Sequence, residues 1–289
     1  MGSETTLYYA FGGGLGHLTR ARAVRHTLDL RGDFVVLSAA ASPHAAPAEH
    51  WLAPAGIEND IPAFRAWIIE SIQRFQPQRL FVDAFPAGIL GELCDFPWPA
   101  GLDLVHVARI LRWDNYAGLI RGALPRYVHC WQLEELSAEH HRTLDAISAR
   151  IAPLTLEDPA EASHGDDLHA ITRRWVALGK PVWLIVHAGP DTETAELLAY
   201  ARECAATEQV APHFAVVSPG IPLPGEPDIE RIDLQPARTL FPFTARIVTA
   251  CGFNSMRQAA AWRERHLCMP FARRFDDQFL RRKRFLENQ

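Results

Sequence analysis

Short apolar runs alternate with amphipathic stretches along almost the whole chain. Residues 7–11, 34–38, 80–82, 104–108 and 127–130 read as strands in the first half. Between them lie stretches with helical spacing, such as 18–30 and 63–75, where Phe64, Trp67, Ile68 and Phe75 fall near one face. A polar stretch with Pro159 and Ser163-His164-Gly165-Asp166-Asp167 interrupts the pattern, and helical spacing returns over 168–178. From Val182 the alternation restarts: strand-like 182–186, helix-like 193–206, then strand-like 214–217, 229–232 and 246–249, with a Pro/Gly-rich loop at 219–227. Strands alternating with helices predict a parallel sheet covered on both faces, and the restart predicts two such sheets. The chain therefore reads as α/β, with two Rossmann-like parallel-sheet domains facing a cleft. They span residues 1–160 and 181–289 and are joined by a linker region, 161–180. The final stretch, 279–289, is expected to pack back across the domains.

Two of the strand-like runs end in glycine-centred turns: Phe11-Gly12-Gly13-Gly14-Leu15-Gly16-His17 and Cys251-Gly252-Phe253-Asn254-Ser255. Each reads as strand, tight turn, helix N-terminus. Such a turn offers backbone N–H groups and the positive end of a helix dipole to an anion such as phosphate. Ligands of these sheets sit beyond the C-terminal strand ends, where Asp83 and Gly189 also fall.

Composition narrows the picture mainly by exclusion. At 289 residues, 48% hydrophobic and 22% charged, the chain can build a sizeable core in one large or two small domains. A net charge of −5 argues against a general nucleic-acid-binding surface. The five cysteines are scattered, odd in number and without a C-x-x-C pair, which argues against a disulfide framework or zinc site and fits a reducing cytosol. The N-terminus lacks the pattern of a signal peptide, and no apolar run is long enough to span a bilayer. Met1-Gly2-Ser3-Glu4-Thr5-Thr6 matches a loose myristoylation pattern that chance often produces.

In this order and spacing the motifs resemble those of the GT-B superfamily of nucleotide-sugar glycosyltransferases. Gly12-Gly13-Gly14-Leu15-Gly16-His17 is similar to the G-G-x-G-G-H turn of the lipid-linked muramyl-peptide N-acetylglucosaminyltransferases. Gly14-Leu15-Gly16-His17-Leu18-Thr19-Arg20 is similar to the GxGHxxR start of many uncharacterised bacterial members. Cys251-Gly252-Phe253-Asn254-Ser255 is similar to the donor-phosphate turn, and Cys268-Met269-Pro270-Phe271 to the apolar strand after it. Asp276-Asp277-Gln278 falls where the family places an acidic-Gln pair near the donor. The resemblance covers nearly the whole chain. Two departures stand out: Gln258 replaces the usual ribose-binding Glu, losing the charge-assisted part of that bond, and the chain is shorter than most members.

The resemblance implies a metal-independent, inverting glycosyl transfer, with a nucleoside-diphosphate sugar as substrate and no cofactor. At a helix N-terminus the imidazolium of His17 is disfavoured, so a neutral ring can take a proton from an acceptor hydroxyl. Asp83 is the candidate to orient it. A helix cap or a substrate-binding His17 is the alternative. Gly13, Gly14 and Gly16 would form the acceptor and diphosphate turn. Gly252, Phe253, Asn254 and Ser255 would hold the donor diphosphate; a plain helix cap is the alternative. Gly189 either lines the donor pocket or makes a tight turn, Gln258 faces the ribose, and Asp277 and Gln278 either reach the donor sugar or start a solvated helix. His140-His141, Asp166-Asp167, His129 and Cys130 lack partners at metal-ligand spacing, so the leaving group would be stabilised by backbone and side-chain donors.

The acceptor is expected to be a small molecule or a lipid-linked one. The location is cytoplasmic, with peripheral contact at the inner face of a membrane left open. Two features could serve that contact: the basic cluster Arg273, Arg274, Arg281, Arg282, Lys283 and Arg284, and the apolar Trp51, Leu52, Trp67, Ile68 and Ile69. A solvated helix face and ordinary core are the plainer readings of each. Three other functions stay open: a sugar-nucleotide epimerase or hydrolase, a non-catalytic binding protein with a decayed donor site, and a dinucleotide oxidoreductase. The last is disfavoured because strand 34–38 runs into Ser38-Ala39-Ala40 without an acidic residue for the ribose.

Overall fold

The computed structural model describes residues 4–11, 16–39, 50–160, 164–218 and 229–287. Gly13, Gly14, the start of the myristoylation pattern and the loop 219–227 lie outside them. The chain divides into two compact units, 1–159 with 274–276, and 160–273 with 277–289.

The first unit opens with β1 (Thr5–Tyr9), α1 (Gly16–Thr27), β2 (Asp33–Ser38), β3 (His50–Leu52), α2 (Ile61–Phe75) and β4 (Arg79–Asp83). It continues with β5 (Asp103–Ala108), α3 (Trp113–Ala117), β6 (His129–Gln132), α4 (Ala138–Ile147) and β7 (Ile151–Pro153). The strands form one parallel sheet in the order β3-β2-β1-β4-β5-β6-β7. β1, β2 and β4 are buried almost end to end, as expected of strands covered on both faces. Helix α2 starts where Asp60 accepts a hydrogen bond from the Ala63 amide (3.0 Å), with Pro62 in its first turn. It turns Phe64, Trp67 and Ile68 into a core shared with Leu7, Tyr9 and Phe11.

The second unit holds β8 (His164–Gly165), α5 (Leu168–Leu178), β9 (Val182–Val186), α6 (Asp191–Thr207), β10 (His213–Val217), β11 (Ile229–Arg231) and β12 (Leu234–Gln235). It ends with β13 (Arg246–Ala250), α7 (Phe253–Gln258), β14 (His266–Met269) and α8 (Gln278–Glu287). Its parallel sheet runs β11-β10-β9-β13-β14, and β8 pairs antiparallel with β12.

Two boundaries differ from the sequence reading. Helix α5 lies within the stretch taken as linker, yet its Ile171 and Trp175 are buried in the second unit's core. Helix α8 belongs to the second unit, whereas Arg274–Asp276, just before it and within the span 181–289 expected for that unit, belongs to the first. Phe275 explains that assignment, since it is buried among Phe85, Trp113 and Tyr116, and the Arg112 amide donates to its carbonyl (2.7 Å).

Three buried histidines give the fold a pH dependence. Burial pushes His106 down to about 4, His140 to about 3 and His266 to about 4, from an ordinary 6.5. His140 stacks flat on Trp113, with ring centroids 4.2 Å apart. The unfolded chain therefore binds protons that the folded one refuses. Stability is full above about pH 6.5 and falls as pH drops toward the folded values, by about 1.4 kcal/mol per pH unit for each histidine. Melting temperature measured against pH should fall steeply below pH 6, and less steeply in His140→Phe.

Candidate functional site

In each sheet the strand order reverses at one place, and the candidate residues gather there. In the first sheet the chain moves outward from β1 to β2 and β3, then returns to the other side of β1 with β4. The crevice at such a switch point, beyond the strand C-termini, is where open α/β sheets bind ligands. His17 is the second residue of α1, which follows β1, and Asp83 is the last residue of β4. In the second sheet the switch lies between β9 and β13. Gly189 follows the first of these strands and Gly252 the second.

The predicted pair His17 and Asp83 is in direct contact, Nδ1 to Oδ2, at 2.5 Å. Both side chains are buried. A third residue completes the cluster. Arg20, one turn along α1, donates from Nε to Asp83 Oδ1 (2.6 Å) and from Nη2 to Asp83 Oδ2 (2.5 Å). The Tyr8 hydroxyl of β1 donates to Oδ1 at 3.0 Å. Burial opposes ionisation of Asp83, but Arg20 and then His17 outweigh it and hold the carboxyl well below the usual range. Burial likewise lowers His17 below its ordinary value; Asp83 pulls the other way, and Arg20 and Arg109 add to the lowering. A carboxylate only accepts, so His17 Nδ1 carries the proton in this bond. In the neutral ring, Nε2 then keeps its lone pair. Arg109, immediately after β5, pairs with Asp276 and with the Ile110 carbonyl.

The sequence reading did not assign Arg20, Tyr8, Arg109 or Asp276 to the site. Arg20 carried a signal as the last residue of the GxGHxxR pattern, and Asp276 as the first residue of Asp276-Asp277-Gln278. Tyr8 and Arg109 are brought in by strand neighbours, and Asp276 by the returning segment 274–276. Of the first-turn glycines, Gly16 is exposed at the start of α1.

In the second unit, Gly252 is the N-cap of α7 and no side chain caps this helix. Asn254 and Ser255 therefore sit inside its first turn, and Phe253 is buried. Gly252 has an ordinary φ of −70°, and a Cβ built on it would meet only Ser255 Oγ, at 4.0 Å. Neither backbone nor packing demands glycine there. Gly189 is different: a Cβ on it would overlap the His187 imidazole. That imidazole bonds Glu193 (Nε2 to Oε2, 2.8 Å), and Arg273 donates to Glu193 Oε1 at 2.5 Å. Gly189 thus has a structural reason of its own.

Gln258 is half-buried at the end of α7. Asp277 and Gln278 both have tasks in the fold. Asp277 accepts from the Leu280 amide (2.9 Å) at the start of α8, and the buried Gln278 accepts from the Phe271 amide (3.0 Å). The basic cluster is not a single solvated face. Arg281 is buried and donates to the Cys251 carbonyl (2.8 Å), while Arg282 donates to that of Cys268 (3.1 Å). Trp67 and Ile68 are core, Trp51 and Ile69 pack against it, and Leu52 is exposed. Among the described residues no helix is long and apolar enough to cross a membrane.

No protein-family model and no curated protein sequence matches the chain. Solved structures do. Arabidopsis thaliana UGT89C1 complexed with UDP is 12% identical, with a TM-score of 0.57 over 96% of this chain and 81% of that one. The fold is GT-B. The spinosyn rhamnosyltransferase SpnG complexed with thymidine diphosphate is 15% identical, with a TM-score of 0.55 over 99% of this chain and 84% of that one. The Methanocaldococcus jannaschii UDP-GlcNAc 2-epimerase, in complex with UDP-GlcNAc and UDP, is 11% identical, with a TM-score of 0.55 over 98% and 86%. The GT-B fold of this chain is thus shared by glycosyltransferases and by sugar-nucleotide epimerases.

Proposed function

We propose that the chain is an inverting glycosyltransferase that uses a nucleoside-diphosphate sugar. The observation that carries this reading is the buried His17–Asp83 contact at the switch point of the first sheet. His17 Nε2 takes the proton of an acceptor hydroxyl as that oxygen bonds to the anomeric carbon. The bond from that carbon to the diphosphate breaks with its electrons, and the nucleoside diphosphate leaves. Asp83 holds the ring by its Nδ1–H and stabilises the imidazolium that forms. The nucleotide is assigned to the turns after β9 and β13. Gly252 supports this, because a glycine that the fold does not need leaves room for a ligand to approach the backbone. The leaving diphosphate is met by that backbone, with Asn254, Ser255 and Gln258 beside it, and no bound cation is required.

The epimerase and hydrolase reading is favoured by one observation, the several UDP-N-acetylglucosamine 2-epimerases among the structural neighbours. It needs carboxylates free to reach the sugar. In the first unit Asp83 is engaged as above, Asp276 by Arg109, Glu92 by the Tyr9 hydroxyl and the amides of Ile89 and Leu90, and the partly buried Glu134 by the Ile110 amide. Transfer is therefore the better reading.

Thermal unfolding with UDP, GDP, TDP, CDP, phosphate and NAD tests the donor assignment. One nucleoside diphosphate should stabilise the protein selectively, by about 2.7 kcal/mol at one hundred times its Kd. Asn254→Ala should abolish that shift and Gln258→Ala should weaken it. No shift with any nucleotide at millimolar concentration, or a shift with NAD alone, would sink the donor assignment.

A further inference from the structure

We infer that Arg20 is a positioning residue that sets the charge of the His17–Asp83 pair, keeping His17 neutral with Nε2 open to an acceptor hydroxyl. This assignment rests on the reading of His17 as the base, and it deepens it.

The argument is geometric. Arg20 Nε and Nη2 occupy both oxygens of Asp83, at 2.6 and 2.5 Å, in the fork that a guanidinium offers a carboxylate. Nη2 also lies 3.0 Å from His17 Nδ1. Since Nδ1–H is directed at Asp83, that approach is a cation held against the ring. Suppose Arg20 were absent. A buried carboxylate would then face His17 and the neutral Tyr8 hydroxyl, and charging the imidazole would be its readiest neutralisation. With Arg20 present, the carboxylate is already neutralised. Protonating His17 would leave two cations against one anion in a buried site.

The other groups around the pair do not change this sign. Tyr8 on β1 stays a neutral donor, because burial raises its hydroxyl well above the ordinary value. Burial likewise keeps His106 on β5 neutral. Arg109 is a further cation, and Asp276 is paired with it. The spacing of three along α1 places His17 and Arg20 on one face of the helix, so both reach the same carboxylate across the sheet's switch point.

The test follows the His17 ring nitrogens by NMR on the full chain across neutral pH, with no substrate present. In the wild type, His17 should be neutral at pH 7 with the proton on Nδ1. In Arg20→Gln its midpoint should rise by about 1–3 pH units above that of the wild type. Arg20→Lys keeps the charge but contacts a single oxygen, and its midpoint should fall between the two. Any measurable turnover should show the same upward move in its acid limb. An unmoved midpoint in Arg20→Gln would overturn the assignment. Should Arg20→Gln not fold, a midpoint in Arg20→Lys above that of the wild type upholds the assignment, and an unmoved one overturns it. The readout is independent of the proposed reaction. If the midpoint moves while the wild type turns over no nucleotide sugar, the transferase reading fails and the role of Arg20 stands.

Discussion

His17→Ala should lower turnover by about 10²–10⁴-fold, the usual contribution of a general base. It should leave nucleotide-induced stabilisation intact. The two readouts belong to different units: His17 lies in the first, and the turns assigned to the nucleotide lie in the second. The stability cost should be modest, because Arg20 still neutralises Asp83 through both oxygens. Turnover assayed beside nucleotide-dependent melting checks this. If His17→Ala kept wild-type turnover, His17 would be a cap or a binding residue, and the base would have to be sought elsewhere.

Asp83→Ala is expected to have the larger structural effect. It removes the anion that Arg20, His17 and Tyr8 all address. The Arg20 guanidinium would remain buried without its partner, and breaking such a buried pair costs about 3–5 kcal/mol. The double variant Asp83→Ala with Arg20→Met should recover much of that loss, since it removes both charges together, while restoring no turnover. Chemical denaturation of the wild type, both single variants and the double variant measures the coupling directly. Additive losses would show that the pair contributes little as a pair.

The sequence made the architecture legible because parallel strands buried on both faces are almost uniformly apolar. β9 is the run Val182–Val186 in both the reading and the structure. β1 and β4 differ from their expected bounds only at the ends. Less regular elements were missed. β3 has three residues, and α4 buries only His140 and Leu144, so its pattern looks like a polar loop.

The His17–Asp83 partnership was legible because each residue ends a recognisable strand-and-turn unit. The role of Arg20 was not, although the residue stood in the motif. Its partner lies 63 residues away, and a guanidinium three positions after a histidine usually marks nothing more than a helix face. Arg109 and Asp276 are 167 residues apart, joined by a segment whose membership of the first unit no local pattern announces. Asp277 and Gln278 show the same limit. The motif placed them near the donor sugar, but it did not announce that their side chains also accept from the backbone amides of Leu280 and Phe271.

Proton NMR of the wild-type protein with the nucleotide sugar whose base stabilises it, in the absence of any acceptor, tests the central claim most directly. Water then stands in as a poor acceptor. The account predicts slow release of nucleoside diphosphate, with free sugar appearing first as the anomer inverted relative to the donor, and no such release from His17→Ala. Appearance of a sugar epimerised on its ring, or first release of the retained anomer, would contradict it.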